Sequence, residues 1–223
     1  MLMDKKALDR ITGFMVEVAK VKGINRTGWV LSGVKHPEHV GDHMFSTAVL
    51  SYLLAKNAGL DADKCLKMAL LHDIHEAITG DIPSRNGVSS KRKDRLEVRD
   101  TTRVLSRLGS SGGELRSLLR EFIRCRTVEA RFVHEVDKLD YVVQLMQYSG
   151  RMKPAMVREF LSSGGNGIHA PELRHIYDKV RKHVYRELHW KQMKPWQTMS
   201  AEEDAGMGRS ERGQTAIMHT KVR

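Results

Sequence analysis

Cysteine and aromatic residues are scarce in this chain of 223 residues, and it contains no long hydrophobic run. The two cysteines, Cys65 and Cys125, both lie in apolar helical patterns, which favours buried structural thiols in a reducing compartment. Aromatic residues make up 6% and hydrophobic residues 40% of the chain, a composition that suits a helical globule better than a β-sandwich. No apolar run approaches the roughly 20 residues that span a bilayer, and the N-terminus lacks a signal-peptide pattern. We therefore expect a cytoplasmic protein with no membrane partner.

Positive charge exceeds negative charge: 38 lysines and arginines against 27 aspartates and glutamates give a net charge of +11. The excess is concentrated over residues 85–131, which hold 13 basic and 6 acidic residues. A basic field of this kind attracts anions, including nucleotides. The chain nevertheless lacks the aromatic interleaving, the zinc-finger spacing and the RNP-like strand motif that accompany nucleic-acid binding. A solvated helix surface is therefore the simpler interpretation, and we do not expect nucleic acid as a partner.

Apolar residues recur at helical spacing along most of the chain, and no segment shows the alternation of a strand. The pattern predicts helices over residues 4–22, 40–57, 92–108, 113–126, 128–148 and 171–190. A further helix is expected after its cap, Asp61, and before the turn at Gly80. Residues 24–38 are expected to form a loop, because glycine and proline interrupt the periodicity there.

These elements predict an all-α protein with a single helical domain over residues 1–190. From residue 191 to residue 223 the periodicity stops, and serine, glycine, glutamate and arginine dominate. A segment of this composition cannot bury enough apolar surface to offset its ordering entropy. We therefore expect a disordered C-terminal tail.

The sharpest local feature is the segment 70–77, in which polar side chains interrupt an apolar helical pattern. Buried ionisable groups are costly and buried carboxylates require a cation, so His72 and Asp73 suggest a bound divalent metal. Glu76 lies at i+4 from His72 and i+3 from Asp73, which places it over the same face of a helix. His75 points further around the helix and is a weaker ligand candidate. The alternative for so short a motif is a core histidine with satisfied hydrogen bonds.

Two further pairs could complete a metal site. His39 and His43 are spaced i,i+4 at the start of the helix predicted over 40–57. Asp137 and Asp140 both lie near the buried stripe of the helix predicted over 128–148, and spacing alone does not choose between them. A mixed set of imidazoles and carboxylates suits manganese, cobalt, zinc, nickel or iron(II), whereas calcium takes oxygen ligands.

Four separated segments together resemble one known family. They are residues 25–29 (Asn-Arg-Thr-Gly-Trp), 37–45 (Pro-Glu-His-Val-Gly-Asp-His-Met-Phe), 71–82 (Leu-His-Asp-Ile-His-Glu-Ala-Ile-Thr-Gly-Asp-Ile) and 132–139 (Phe-Val-His-Glu-Val-Asp-Lys-Leu). The order of a His, a His-Asp pair and a distant Asp is similar to that of HD-domain phosphohydrolases, and the segments resemble their 5′-deoxynucleotidase branch in particular. The resemblance covers about residues 5–190. His39 departs from the branch, which usually has a small residue there.

The resemblance implies a helical HD-domain bundle with a metal site at its centre, and it implies a homodimer. One divalent metal ion would be held by His43, His72, Asp73 and Asp137. The catalytic acids would be Glu76 and Asp81, and the substrate contacts would come from Arg26 and Trp29. The implied activity is the hydrolysis of nucleoside 5′-monophosphates to nucleoside and phosphate, with deoxynucleotides preferred. In such a site the guanidinium fork of Arg26 would hold two phosphate oxygens, and the ring of Trp29 would form a wall beside the sugar.

Two other functions compete with this interpretation. An HD-type phosphodiesterase or a guanosine tetraphosphate (ppGpp) hydrolase would need a larger pocket and often a second metal, which the short chain disfavours. A non-enzymatic anion-binding or nucleic-acid-binding module would use the basic region 85–131. The sequence contains no Gly-x-x-x-x-Gly-Lys-Ser/Thr loop, so chemistry driven by a nucleoside triphosphate is not expected.

Overall fold

The chain folds as a succession of helices in a computed structural model that describes residues 4–83 and 89–192. Within these residues no strand forms, and a single isolated bridge joins Asn25 to His39. The all-α prediction is therefore confirmed. No helix of this described part is both long enough and apolar enough to cross a membrane. The predicted disordered tail lies outside the described residues from position 193 onward and stays a prediction.

Ten α-helices follow one another in the described residues. They are α1 (Lys5–Lys20), α2 (Thr27–Leu31), α3 (Val40–Asn57), α4 (Ala62–Ala69), α5 (Glu76–Thr79), α6 (Ser90–Ser106), α7 (Gly113–Arg124), α8 (Val128–Tyr148), α9 (Pro154–Gly165) and α10 (Pro171–Gln192). Short 3₁₀ turns occupy Val21–Gly23, Gly109–Gly112 and Ser149–Arg151. Side-chain caps fix two of the helix starts: Asp61 accepts the backbone N–H of Lys64, and Thr127 accepts that of Ala130.

Helix α8 lies at the centre of the bundle, because it packs against α3, α4, α7 and α9. Its Val133, Val136, Leu139 and Leu145 side chains have no exposed surface. Burial of each such side chain contributes roughly 1.5–3 kcal/mol relative to leaving it in water. A second apolar cluster forms where α1, α6 and α7 meet the start of α3. The polar side chains discussed below therefore lie on helices whose positions are fixed by a dry core.

Three sequence-based predictions on the fold are wrong. The loop expected over 24–38 contains α2, a helix of five residues that the burial of Trp29 holds in place. The helix α9 was not predicted, because its serine and glycine residues suggested a connection. Cys125 is exposed rather than buried: it adopts the left-handed conformation (φ 49°) that ends α7. Cys65 is buried, as expected.

Helix α9 contains glycine because it passes very close to α8 and α10. A methyl group at Gly164 would clash with Cγ2 of Val142 and would lie 2.8 Å from the Tyr141 hydroxyl. A methyl group at Gly165 would clash with the Tyr177 hydroxyl. Both contacts involve side chains packed between helices, so the missing Cβ atoms set the distance between α9 and its neighbours.

We expect Gly164→Ala to lower the free energy of unfolding by about 1–3 kcal/mol, the usual cost of overpacking a core. Gly113→Ala is the matched control, because no atom lies within 4 Å of the added carbon at the start of α7. That control should be neutral or stabilising by less than about 1 kcal/mol. Urea titration followed by circular dichroism measures both. Equal stabilities of Gly164→Ala and wild type would show that α9 is free to shift away from α8.

Candidate metal centre and active site

The ligand candidates come from three parts of the chain. His43 lies in the first turn and a half of α3, and Asp137 lies in the middle of α8. His72 and Asp73 were expected on a continuous helix, but α4 ends at Ala69 and both residues lie in the turn before α5. The backbone carbonyl of Ala69 accepts a hydrogen bond from His72 Nδ1 at 2.8 Å, which fixes the imidazole against the end of α4.

Four side-chain atoms of these residues converge. His43 Nε2 lies 3.0 Å from Asp137 Oδ1, 3.3 Å from His72 Nε2 and 3.8 Å from Asp73 Oδ2. His72 Nε2 lies 3.2 Å from Asp73 Oδ2 and 3.9 Å from Asp137 Oδ1. Ligands of a zinc-like ion lie about 2.0–2.2 Å from it, so any two of them are at most about 4.4 Å apart. The atoms of His43, His72 and Asp73 form a group that one ion could hold, and Asp137 Oδ1 lies within 3.9 Å of both imidazole nitrogens.

The tautomers of the two histidines support the same conclusion. Each imidazole has its Nδ1 beside an oxygen acceptor: the Ala69 carbonyl for His72, and the Asp140 carboxylate, at 2.7 Å, for His43. In a neutral ring the proton therefore resides on Nδ1, and Nε2 presents a lone pair. With both rings neutral, two such lone pairs and two carboxylate oxygens would face one another. Without a cation, the raised pKa values of both imidazoles favour a proton between them instead. A divalent cation is the group that satisfies this donor set.

The charge balance around the four side chains is unusual. Burial and Arg26 oppose protonation of His43, but Asp137 and Asp140 outweigh them and raise the pKa of His43 to about 9. Burial also opposes protonation of His72, but Asp73 raises its pKa to about 9. Burial opposes ionisation of Asp73 too, yet His72 and Arg26 hold its pKa well below the usual range. The two carboxylates thus attract positive charge strongly, which is what a metal-binding site requires.

Asp140 occupies a different place from Asp137, although the sequence left the choice between them open. Asp137 points toward the convergence point, and its side chain is 29% exposed. Asp140 is buried behind His43, and its oxygen holds the outer nitrogen of that ring at 2.7 Å. An arrangement of this kind orients a ligating imidazole and raises its basicity.

Arg26 reaches the same centre from the N-terminus of α2. Its Nη1 donates to Asp73 Oδ2 at 3.2 Å, and its side chain is 18% exposed. The adjacent Thr27 ties this turn to Asp81: the Thr27 N–H donates to the Asp81 carboxylate at 2.6 Å, and the Thr27 hydroxyl donates to the Asp81 carbonyl at 2.9 Å. The fold thus brings Arg26 and Asp81 to the cluster through one short connection.

Glu76 begins α5 and is buried, and its Oε2 has no hydrogen-bond partner. Burial, together with Asp73 and Asp81, raises its pKa well above the usual range. His75 is also buried, with an unpartnered Nδ1. Contrary to the expectation that it points away, its ring forms a second group of potential metal ligands with Asp73 and Glu76, whose atoms lie within 4.8 Å of one another.

Trp29 packs in the core and also lines the cavity beside the metal-ligand candidates. It is 2% exposed, its ring stacks on Phe160 at a centroid distance of 4.7 Å, and its Nε1–H donates to Glu38 at 2.8 Å. It therefore packs in the core, and its edge also lines a cavity of about 200 Å³ beside the metal-ligand candidates. The cavity brings together all the predicted site residues except the two buried histidines.

The whole arrangement matches a known domain. A family model described as HD domain matches residues 18–176. The chain belongs to the HD-domain family.

Several similar proteins carry the name 5′-deoxynucleotidase. HDDC2 of Danio rerio is 32% identical over 184 residues, which cover 81% of this chain and 91% of the fish protein. HDDC2 of Homo sapiens is 32% identical over 169 residues, covering 75% and 82%. The 5′-deoxynucleotidase hdd1 of Schizosaccharomyces pombe is 31% identical over 143 residues, covering 62% and 72%.

Solved structures share the fold. The PH0347 protein of Pyrococcus horikoshii has a TM-score of 0.63 and 31% identity, covering 78% of this chain and 98% of the archaeal one. A protein of Magnetospirillum magnetotacticum, described as a predicted metal-dependent phosphohydrolase, has a TM-score of 0.64, and it covers 82% of this chain and 95% of its own. Its identity is 23%, so it supports the fold alone.

Sequence reasoning missed three residues that line the cavity of this HD domain. Tyr141 is one helical turn beyond Asp137 on α8, and that i+4 spacing was a signal that could have found it. Phe160 comes from α9, which was not predicted at all. Lys93 projects from the start of α6, where it was hidden among other basic residues. His39 does not join the cluster: its ring lies 3.1 Å from Asp42 at the start of α3 and is half-exposed.

We expect Asp140→Asn to weaken divalent-metal binding by about 10- to 100-fold, because the amide cannot supply the charge that holds and polarises the His43 ring. Competition for Mn²⁺ against a coloured chelator measures the affinity. Asp63→Asn is the control, since it removes one exposed carboxylate from the surface of α4. Equal affinities in wild type and Asp140→Asn would assign Asp140 a packing role only.

Proposed function

We propose that this HD domain is a metal-dependent 5′-deoxynucleotidase, which hydrolyses deoxynucleoside 5′-monophosphates to nucleoside and phosphate. One observation carries the proposal: Asp73, Asp137 and Arg26 line one cavity of about 200 Å³, and the buried His43 and His72 lie within 3.9 Å of both carboxylates. The names of the similar proteins support the choice of substrate class. The cytoplasmic location expected from the sequence is part of the same proposal.

The metal would be held by His43, His72, Asp73 and Asp137. The donor set of two imidazoles and two carboxylates suits manganese, cobalt, zinc, nickel or iron(II). When bound, such an ion would neutralise charge on a phosphate oxygen and lower the pKa of a bound water toward about 7. The protein contributes a rigid cage for it, because α3 and α8 are both fixed in the dry core.

Arg26 is suited to binding the phosphate of the substrate. Its Nη1 is engaged by Asp73, which holds the planar guanidinium at the edge of the cavity. The remaining N–H groups of the fork can donate to two phosphate oxygens at once. Lys93, in the first turn of α6, adds a second cation to the cavity wall. A phosphate monoester, with about two negative charges at neutral pH, complements this pair.

The two acids suggested for catalysis differ in what they touch, and this supports different roles. The Asp81 carboxylate accepts the Thr27 N–H at 2.6 Å, so it fixes the turn that carries Arg26. Glu76 Oε2 has no partner, so it is free to exchange a proton with a reactant. We assign proton transfer to Glu76, including donation to the departing 5′-oxygen. We assign a positioning role to Asp81.

The sugar would lie against an aromatic wall. Trp29, Tyr141 and Phe160 form it, and the ring of Phe160 is held flat against that of Trp29. An added 2′-hydroxyl beside such a wall would lack a hydrogen-bond partner, at a cost of about 1–3 kcal/mol. The described cavity lining contains no Asn or Gln that could distinguish bases. Preference for deoxyribose with little base selectivity is therefore the expected specificity.

The competing functions receive less support. A cavity of about 200 Å³ is small for a cyclic dinucleotide or for guanosine tetraphosphate. A purely anion-binding module would not need a buried group of facing lone pairs. Assays with a cyclic dinucleotide and with guanosine tetraphosphate test the first of these alternatives.

The decisive test is phosphate release from dAMP, AMP, dCMP, CMP, a cyclic dinucleotide and ppGpp, with single metals added back after chelation. We expect no release without metal, and roughly 5- to 150-fold higher kcat/KM for deoxynucleotides than for ribonucleotides. Asp73→Ala, His72→Ala and Arg26→Met should each lower kcat/KM at least about a hundredfold.

The exposed Arg92 provides the matched control, so Arg92→Met should retain wild-type rates. Full turnover in chelator would contradict the metal assignment. Equal rates for dAMP and AMP would contradict the sugar preference but would be consistent with phosphatase activity. If the protein cleaves ppGpp or the cyclic dinucleotide and none of the monophosphates, the proposed substrate class is wrong.

A homodimer is the second part of the proposal, and the outer face of α3 supports it. Phe45, Val49 and Leu53 recur at every fourth position there and are 67%, 41% and 52% exposed. A contiguous apolar stripe on a helix surface is typical of a protein interface. A second copy of the chain could cover it through a two-fold axis, since such an interface pairs the same patch with itself.

We expect Phe45→Asp to convert the protein from dimer to monomer in sedimentation velocity experiments at micromolar concentration. A charge in the centre of an apolar interface is left unpaired and desolvated. Val128→Asp is the control, because Val128 is equally apolar and 53% exposed but lies at the start of α8. A wild-type protein that sediments as a monomer would refute this part.

A further inference from the structure

A second cavity, of about 240 Å³, lies between α6 and α7. Val98 and Leu105 of α6 and Ile123 of α7 give it aliphatic walls. It shares no lining residue with the cavity at the metal-ligand candidates. A cavity of roughly 150 Å³ already accepts a benzene ring, so this groove has room for a larger planar ring.

The floor of the groove carries an unsatisfied polar atom. Thr101 lines the groove and is 5% exposed, and its hydroxyl has no hydrogen-bond partner. Its neighbour Thr102 differs, since that hydroxyl donates to the Val98 carbonyl at 2.7 Å. Buried polar atoms are nearly always hydrogen-bonded, so a bare hydroxyl at this point indicates a missing partner. A ligand group that reaches the floor would supply it.

One side of the groove is a row of three cations. Arg116, Arg120 and Arg124 lie at successive turns of α7, about 6 Å apart along the helix axis. Among the described residues, Arg116 donates to the backbone carbonyls of Leu105 and Gly109, and Arg120 donates to that of Arg116. Across residues 4–83 and 89–192, no carboxylate lies within ion-pair distance of any of the three. The row is therefore available to a multiply charged anion.

These three features together select a class of ligand. An acyl carboxylate would satisfy an arginine and the aliphatic walls, but its tail would cover the Thr101 hydroxyl without bonding it. A nucleobase has apolar faces for the walls and hydrogen-bonding atoms on its edge for the hydroxyl. A chain of phosphates attached to it would match a row of guanidinium groups better than a single phosphate would.

We propose that the groove between α6 and α7 is a second binding site, for a nucleoside polyphosphate whose base contacts Thr101 and whose phosphates lie along the row of arginines. The site does not depend on the proposed hydrolytic activity. It also gives a specific role to part of the basic region 85–131, of which the cavity at the metal centre uses Lys93.

The test is isothermal titration of the full-length, metal-loaded protein with dATP and, separately, with inorganic tripolyphosphate, at equal excess Mg²⁺ in cell and syringe. Arg120→Ser/Arg124→Ser should weaken dATP binding at least about tenfold. Arg92→Ser/Arg95→Ser removes the same charge from the exposed face of α6 and should change it less than about twofold. Arg26→Met, in the first cavity, should leave dATP binding intact.

Thr101→Val separates recognition of the base from attraction to charge. It keeps the shape of the side chain and loses no existing hydrogen bond, so the protein should remain folded. We expect it to weaken dATP about fivefold and to leave tripolyphosphate unchanged. Three results would each overturn the proposal. The first is equal dATP affinity in the two double variants, and the second is loss of dATP binding in Arg26→Met. The third is that tripolyphosphate binds as tightly as dATP both to the wild type and to Thr101→Val.

Discussion

Lone pairs that face one another at the centre of the bundle constrain the surrounding structure. Two imidazole nitrogens lie 3.3 Å from each other and 3.0–3.9 Å from two carboxylate oxygens where α3, α8 and the turn after α4 meet. Such a cluster is repulsive unless positive charge lies within it, and a buried unpaired charge is strongly destabilising. Arg26 supplies part of that charge at 3.2 Å from Asp73. Asp140 and the Ala69 carbonyl fix the rings from outside, so the elements that carry the ligands cannot move independently.

The sequence predicted the members of the site better than their arrangement. His72 and Asp73 were conspicuous because they interrupt an apolar pattern. This pattern predicts that the two side chains are buried, but it does not predict how they are arranged in space. Their helical placement was wrong, because α4 ends at Ala69, where the His72 imidazole donates to the Ala69 carbonyl in a contact that no spacing reveals. The choice between Asp137 and Asp140 was open for a similar reason. Both lie near the buried stripe of α8. The position of His43 distinguishes them, because Asp137 faces its Nε2 and Asp140 holds its Nδ1.

The long helices were predictable for a different reason. The helix Val40–Asn57 has the bounds that its periodicity predicts, since one face of it is packed and nothing interrupts the pattern. Helix α9 was not predicted, because glycines such as Gly164 and Gly165 are typical of connections between helices. Here they are required where α9 crosses Tyr141 and Tyr177. Its omission also hid Phe160, one of the three rings of the aromatic wall. Close approach between helices is a tertiary property, so a single sequence does not distinguish a glycine that ends a helix from one that lets it pack.

The turn that carries His72 and Asp73 has a consequence for the amount of protein that a cell maintains. An ion bound there together with His43 and Asp137 would cross-link three distant parts of the chain, and only the folded state presents all four groups. Stability gained in this way grows by about 1.4 kcal/mol for each tenfold rise in free metal above the dissociation constant. Metal scarcity would then do more than slow the reaction. It would increase the unfolded fraction that proteases remove, so that the abundance of the protein itself would follow the supply of the ion.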